Sequence, residues 1–195
     1  MTQSKRVAII GAGASGLTAT KCCLDEGLEP TLFERTTNIG GLWQFTEEVR
    51  DDQACVMRST VINTSKELMC FSDFPIPADY PNLMHNRYVV SYLHLYAKQF
   101  DLESRIKFKH EIKLVTPAPD YDVSGQWRVT FVDHNAGENA EEQTMTFDAV
   151  MVCTGHHASK HQPSFAGQER FKVRVEHTFI SRHHNLGLRL VTKHS

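Results

Sequence analysis

The most constraining feature of this chain is a glycine-rich turn that follows directly on a short apolar run. Val7-Ala-Ile-Ile10 leads into Gly11-Ala-Gly-Ala-Ser-Gly16, and a second run, Pro30-Thr-Leu-Phe-Glu34, ends in an acid eighteen residues after Gly16. This order of strand, glycine turn, helix, strand and acid is typical of a βαβ unit that binds a dinucleotide. A GxGxxG alone is weak evidence, whereas the matching context on both sides makes the pattern specific. The alternative is a glycine turn in an α/β protein that binds no ligand.

Each residue of the motif has its own physical role. Gly11 lets the chain turn sharply off the strand, Gly13 lets a pyrophosphate approach the backbone, and Gly16 lets the helix pack close to the sheet. A helix predicted over residues 14–26 presents free N–H groups and its positive dipole end to the phosphates. Glu34 is predicted to accept hydrogen bonds from the adenosine ribose hydroxyls. It disfavours a 2′-phosphate there, because two negative charges would meet.

Length, charge and cysteine usage narrow the class of protein. The 195 residues suit one domain or one and a half, and the net charge of −2 gives no reason to expect nucleic acid or an anionic membrane as partner. No apolar stretch is long enough to span a bilayer, and Met1-Thr-Gln-Ser-Lys-Arg6 is too short and polar for a signal peptide. The five cysteines include no CxxC pair, which predicts reduced thiols in a cytosolic environment. Cys22 and Cys23 are interpreted as core and surface thiols rather than a redox pair.

Hydrophobic periodicity predicts an α/β chain with a parallel sheet and a smaller antiparallel layer. Helices are expected over residues 14–26 and 86–100, and the apolar face of the second is interpreted as core rather than a cofactor site. The continuous apolar run 149–153 is expected to be a central parallel strand, and the middle strands to form the antiparallel layer. Residues 46–87 are predicted to be irregular, which in so long a loop region usually indicates a function. The predicted strands are 6–10, 30–34, 106–109, 112–115, 127–132, 144–147 and 149–153.

Two features favour FAD over a nicotinamide cofactor in the glycine turn. The motif lies at the very N-terminus, and a second glycine pair, Gly40-Gly41, follows Glu34 closely. The apolar run that ends at Thr154-Gly155 supplies a further close approach of the backbone. The histidines at 156, 157 and 161 lack a thiolate or carboxylate partner at ligand spacing, so no metal site is predicted.

With these motifs in order, the sequence resembles the N-terminal part of the flavin-containing monooxygenases of the animal, membrane-associated kind. The resemblance runs in order over most of residues 5 to 172. The matching stretches are Arg6-Val-Ala-Ile-Ile-Gly-Ala-Gly-Ala-Ser-Gly-Leu17, Cys22-Cys-Leu-Asp-Glu-Gly-Leu-Glu-Pro30, Phe33-Glu-Arg35, Ile39-Gly-Gly-Leu-Trp43, Asn63-Thr-Ser-Lys-Glu67, Phe71-Ser-Asp-Phe-Pro75 and Phe147-Asp-Ala-Val-Met-Val-Cys-Thr-Gly-His156.

The resemblance implies a Rossmann-like FAD-binding domain and an oxygenation reaction. In that family NADPH reduces FAD, the reduced flavin forms a C4a-hydroperoxide with dioxygen, and a small-molecule amine or sulfide attacks the distal oxygen. The resemblance also implies that Asn63 lies beside the flavin ring and reaches the nicotinamide cofactor, which makes it the catalytic candidate. The cofactor-binding residues it implies are Gly11, Ala12, Gly13, Ala14, Ser15, Gly16, Glu34, Gly40, Gly41, Leu42, Trp43, Ile62, Asn63, Thr64, Thr154 and Gly155.

The resemblance weakens after Phe171-Lys172, and beyond Gly155 the only glycines are Gly167 and Gly187. The family's second GxGxxG, which holds NADPH, is therefore not expected in this chain. We expect residues 1–172 to form an incomplete FAD-binding domain and 173–195 to be a divergent tail of a truncated product. The alternative function is then a non-catalytic FAD-binding remnant. By family the protein belongs at the cytosolic face of the endoplasmic reticulum membrane, whereas this chain alone, lacking an anchor, would be cytoplasmic.

Overall fold

The computed structural model describes residues 4–48, 53–137, 139–156 and 163–170. Within these residues the chain forms seven strands in two sheets, with helices between them. The strands are β1 Arg6–Ile10, β2 Glu29–Glu34, β3 Ile106–Phe108, β4 His110–Pro117, β5 Trp127–Asp133, β6 Glu142–Phe147 and β7 Ala149–Val152. The helices are α1 Ala14–Asp25, α2 Lys66–Met69, α3 Asn86–Gln99 and α4 Tyr121–Ser124.

The first sheet is parallel and the second antiparallel, which confirms the predicted fold class. The parallel sheet has the order β3-β2-β1-β7, and the antiparallel sheet has the order β4-β5-β6. Ile10 at the end of β1 lies opposite Phe33 of β2 and Val152 of β7, so these three strands end at one edge of the sheet. The glycine turn follows β1 at that edge.

The alternation of side chains along the strands explains why the parallel sheet is covered on both faces. On one face Ile9 and Leu32 pack in a cluster with Leu17 of α1 and the apolar side of α3. On the other face Ala8 and Phe33 pack against the antiparallel sheet. The Phe33 ring centroid lies 5.2 Å from that of Phe131 and 5.9 Å from that of Phe147. The antiparallel layer is therefore a second wall of the core.

Two predictions about the strands were wrong. The run 106–109, grouped with the antiparallel strands, instead adds β3 to the parallel sheet beside β2. The expected central strand, β7, lies at the edge of the parallel sheet among the described residues, with Val152 71% exposed. A continuous apolar run indicates a strand that is covered on its faces, but it does not reveal whether strands lie on both sides.

The helix predictions are confirmed to within a residue at each end. The apolar side of α3 is buried as core, and Cys23 is buried while Cys22 is exposed. All five cysteines are free thiols. Among the described positions of residues 46–87, the short helix α2 lies within the segment and α3 begins at Asn86. The expected tail 173–195, and the histidines at 157 and 161, lie outside the described residues.

Within the described ranges, none of the helices is both long and apolar enough to cross a membrane.

Candidate dinucleotide-binding site

A cleft of about 1080 Å³ lies at the edge of the parallel sheet where β1, β2 and β7 end. Ligands of open α/β sheets bind at this edge, because the loops after the strands diverge there. The antiparallel sheet closes one side of the cleft with residues 109–112, and residues 40–46 lie on another side. Among the lining residues predicted from the sequence are Gly11, Gly13, Ala14, Ser15, Glu34, Gly40, Gly41, Leu42, Trp43, Thr154 and Gly155.

The three glycines of the motif have different structural requirements. Gly11 has φ +102°, and a Cβ there would lie 2.6 Å from the Cys153 carbonyl oxygen. A Cβ at Gly16 would lie 1.8 Å from the Gly11 carbonyl oxygen, so Gly16 is required where α1 crosses the turn. At Gly13 the nearest atom to such a Cβ is the Gly41 Cα, at an ordinary 3.7 Å. The fold itself therefore needs Gly11 and Gly16, whereas it tolerates a side chain at Gly13, which faces the cleft.

The N-terminus of α1 is open toward a ligand. Gly13 is the N-cap residue, no side chain caps the helix, and its first turn contains no acidic residue. The first N–H groups of an α-helix have no partner within the helix, and the helix dipole makes this end favourable for an anion. Gly13, Ala14 and Ser15 all line the cleft. A pyrophosphate fits here by charge, by hydrogen bonding and by space.

Glu34 anchors the glycine turn, a role that the sequence did not reveal. Its carboxylate is buried at 7% exposure and accepts hydrogen bonds from the Ala12 N–H and from the N–H and hydroxyl of Thr36, each at 2.8 Å. The Ala12 carbonyl accepts from the Gly40 N–H at 2.9 Å. Glu34 thus joins the turn after β1 to the loop after β2, and it also lines the cleft.

Some of the predicted cofactor residues do not line this cleft. Ala12 is fully buried beneath the turn, with its N–H and carbonyl both bonded to protein groups, and Gly16 lies at the contact between α1 and Gly11. Ile62, Asn63 and Thr64 also do not line it. These five residues are therefore not brought together with the lining residues.

Asn63 follows a residue whose cluster is also contacted by Trp43 of the cleft. Asn63 is exposed, and the preceding Ile62 is buried in a cluster with Met84 and Val89, against which the Trp43 side chain packs. The Ile62 N–H donates to the Met84 carbonyl at 2.9 Å, which holds this segment beside α3. The role of Asn63 beside a flavin remains a prediction.

Residues 109–112 and His134 form a wall of the cleft that sequence reasoning missed. Lys109 has φ +57°, an uncommon value for a residue with a side chain, and its N–H donates to the Thr36 carbonyl at 3.0 Å. The Glu111 carboxylate lies 2.7 Å from the Lys113 ammonium and 2.9 Å from the His134 Nε2, and these two partners lower its pKa. No local motif marks this wall, because pairing of distant strands assembles it.

The parallel sheet, the glycine turn and the open helix terminus together define a dinucleotide-binding α/β domain. The sequence profile described as FMO-like, flavin-binding monooxygenase-like, matches residues 4–186. The chain therefore belongs to the flavin-binding monooxygenase-like family.

Relatives in animals share about half of the residues. The chain is 50% identical over 182 residues to human flavin-containing monooxygenase 2, covering 92% of this chain and 33% of the relative. It is 53% identical over 176 residues to flavin-containing monooxygenase 5 of Mus musculus, covering 89% and 32%. The chain thus spans about a third of the length of these relatives.

Solved structures show the same fold. S-allyl-L-cysteine S-oxygenase from Allium sativum is 28% identical with a TM-score of 0.69, covering 78% of this chain and 37% of that one. Tmm from Pelagibacter sp. strain HTCC7211 is 23% identical with a TM-score of 0.72, covering 89% and 41%. Because the identity to Tmm is only 23%, this similarity supports the fold alone.

Proposed function

We propose that this chain is the FAD-binding part of a monooxygenase that uses NADPH and dioxygen to oxygenate small molecules at nitrogen or sulfur. The observation that carries the proposal is the uncapped start of α1 at Gly13, which faces a cleft large enough for a dinucleotide. Membership of a flavin-binding family supports FAD as this dinucleotide.

The arrangement of the cleft gives the cofactor a direction. With the pyrophosphate at Gly13–Ser15, the adenosine half lies toward Glu34 and the flavin half toward Leu42 and Trp43. Glu34 already accepts three hydrogen bonds from the protein, and one lone-pair site remains for a ribose hydroxyl on the oxygen that the Ala12 N–H contacts. When bound, FAD would supply the electron transfer from NADPH and the activation of dioxygen.

The protein's own residues would bind the cofactor and exclude water. The indole of Trp43 packs against two buried clusters, so it offers a rigid apolar surface at the flavin end. We propose that Asn63, two positions after the bridge between Val61 and His85, adds an uncharged amide on the nicotinamide side. An amide can both donate and accept a hydrogen bond without adding charge.

The names of the relatives support the choice of substrate class. One macaque relative, 51% identical, is dimethylaniline monooxygenase [N-oxide-forming] 2, and the garlic enzyme is an S-oxygenase. We therefore propose amines and sulfides as substrates. We also propose, by family alone, the cytosolic face of the endoplasmic reticulum as the location.

A second candidate is an FAD-binding chain without turnover. Residues 156–195 contain no GxGxxG, and the chain spans about a third of the length of its relatives.

One experiment separates the two candidates. The purified chain is mixed with FAD, and bound flavin is measured by absorbance after gel filtration. NADPH, a thioether and a separately purified NADPH domain of a family member are then added, and NADPH consumption and sulfoxide are followed. Sulfoxide formed in step with NADPH loss supports the monooxygenase, and bound flavin without sulfoxide supports the second candidate. Absence of bound flavin contradicts both.

A further inference from the structure

A small apolar pocket lies beside the cleft, between the start of α1 and the buried side of α3. Its volume is about 50 Å³. Ala14 and Trp43 line both the pocket and the cleft, so the two spaces meet at these residues. Met84, Val89 and Leu93 also line the pocket, and each is at most 4% exposed. The pocket is therefore a side chamber of the cleft, at the end where Trp43 lies.

The side chains that line the pocket offer a water molecule few hydrogen-bonding partners. They are aliphatic, aromatic or thioether groups, and their polar atoms are the Tyr92 hydroxyl and the Trp43 indole nitrogen. The Tyr92 hydroxyl is already engaged, because it accepts from the Phe71 N–H at 2.8 Å and donates to the Phe74 carbonyl. A buried water needs about two to four partners, whereas an apolar cavity stays dry and takes up apolar molecules. The lining therefore favours an apolar occupant.

We propose that this pocket binds dioxygen next to the end of the cleft where Trp43 lies. The inference rests on the proposed function, which makes dioxygen a substrate. One water-sized molecule needs about 10–15 Å³ of such space, so the pocket admits a diatomic molecule but excludes the ring system of a flavin or a nicotinamide. Dioxygen is uncharged and apolar, so it loses little on leaving water and fits a lining that water avoids.

The test detects dioxygen in the pocket directly, in the full chain without flavin. Methyl groups of methionine, leucine and valine are labelled for NMR, and relaxation is measured under dioxygen pressure, because paramagnetic dioxygen accelerates the relaxation of nearby methyls. Met84 and Leu93 report on the pocket. Leu102 and Val129 are the comparison, because both are fully buried and do not line the pocket. A gadolinium chelate, which is too large and polar for the pocket, serves as the probe of surface exposure.

Two substitutions at Val89 change the space in the pocket. Val89→Ile adds a methylene to the lining and Val89→Ala removes two methyl groups from it. The matched control is Val129→Ile, which adds the same methylene to a buried cluster outside the pocket. Val89→Ile should keep Tm or raise it by up to about 4 °C, because filling a cavity stabilises a protein, whereas overpacking in Val129→Ile should lower Tm.

Each outcome supports or overturns the proposal. We expect dioxygen to relax the Met84 and Leu93 methyls severalfold more than the comparison methyls in the parent. The effect should fall to the comparison level in Val89→Ile, rise in Val89→Ala and persist in Val129→Ile. Equal relaxation at pocket and comparison methyls, or an effect that neither Val89 variant changes, overturns the proposal. Strong relaxation of the pocket methyls by the chelate also overturns it, because the pocket would then be open to water.

A loss of the proposed function gives a different result. A parent chain that shows the dioxygen effect but retains no FAD on gel filtration overturns the proposed function and supports the pocket site alone. A parent chain that retains FAD but shows no dioxygen effect overturns the pocket site and leaves the proposed function standing.

Discussion

Substituting alanine at two glycines of the motif should separate folding from ligand binding. The Cβ of Gly16→Ala would lie 1.8 Å from the Gly11 carbonyl oxygen, whereas ordinary contacts begin at 3.4 Å, so α1 must move by about 1.6 Å. The obstructing atom belongs to the backbone and cannot rotate away. Overpacking of a rigid contact costs about 3 kcal/mol at the upper end of its usual range. For a chain of this size that lowers Tm by roughly 6–12 °C.

Gly13→Ala should have the opposite pattern. Gly13 has φ −79°, which alanine adopts, and the nearest atom to its new Cβ is 3.7 Å away. Alanine is a weaker N-cap than glycine, which destabilises the helix, but it loses less backbone entropy on folding, which stabilises the chain. The free energy of unfolding should therefore stay within about 1 kcal/mol of the parent value. The methyl group occupies the place where the pyrophosphate approaches the turn, so FAD affinity should fall by about tenfold or more.

The assay pairs urea unfolding without flavin with FAD titration. Gly27→Ala is the control, because Gly27 has φ +70° and no atom within 4 Å of its added Cβ, outside the cleft. It should cost about 1 kcal/mol through backbone strain alone and leave FAD affinity unchanged. A Gly16→Ala chain as stable as the parent would refute the packing argument. A Gly13→Ala chain with unchanged FAD affinity would refute the placement of the pyrophosphate.

Three further substitutions probe the anchors around the cleft. Glu34→Gln should lower the free energy of unfolding by about 1–3 kcal/mol even without flavin, because one amide N–H₂ must face a donor; no change in urea unfolding would leave Glu34 a ligand-binding role only. Tyr92→Phe should cost about 1–3 kcal/mol, because the Tyr92 hydroxyl accepts from the Phe71 N–H and donates to the Phe74 carbonyl; an unchanged Tm would show that water replaces these bonds. The Arg6 N–H, followed by Gln126 and Lys5, lowers the pKa of Asp148. The stabilisation by the ionised Asp148 is therefore present above the unfolded pKa of about 3.9 and is lost as the pH falls through the lower folded pKa. In Asp148→Asn the free energy of unfolding should therefore fall less steeply below about pH 5 than in the parent, and an equal pH dependence in acid titrations of the two would contradict this.

The sequence predicted the β1–α1–β2 unit closely because its information is local. The turn, the helix and the acid lie within 29 residues, and Gly16 is required by the nearby Gly11 carbonyl oxygen, although Gly11 itself is required by Cys153 of a distant segment. The buried side of α3 was equally readable, since a helical spacing of apolar residues is a local signal. Residues 40–43 and 154–155 were predicted to line the site, whereas 35–38 and 44–46 of the same cleft were not.

The parts that could not be predicted depend on contacts between distant segments. The sequence pattern of β3 does not differ from that of the strands that follow it, and only its pairing with Leu32–Glu34 places it in the parallel sheet. The anchoring role of Glu34 depends on where the Ala12 N–H points after the turn. Glu111 lies in β4 of the other sheet and His134 directly follows β5, and neither residue belongs to a motif.

The most direct measurement is a crystal structure of the full chain grown with FAD. We expect the pyrophosphate oxygens to lie about 2.7–3.2 Å from backbone nitrogens of Gly13–Ser15, the adenosine toward Glu34 and the isoalloxazine toward Trp43. A pyrophosphate elsewhere, or a cofactor lying in the reverse direction along the cleft, would contradict the assignment of this site.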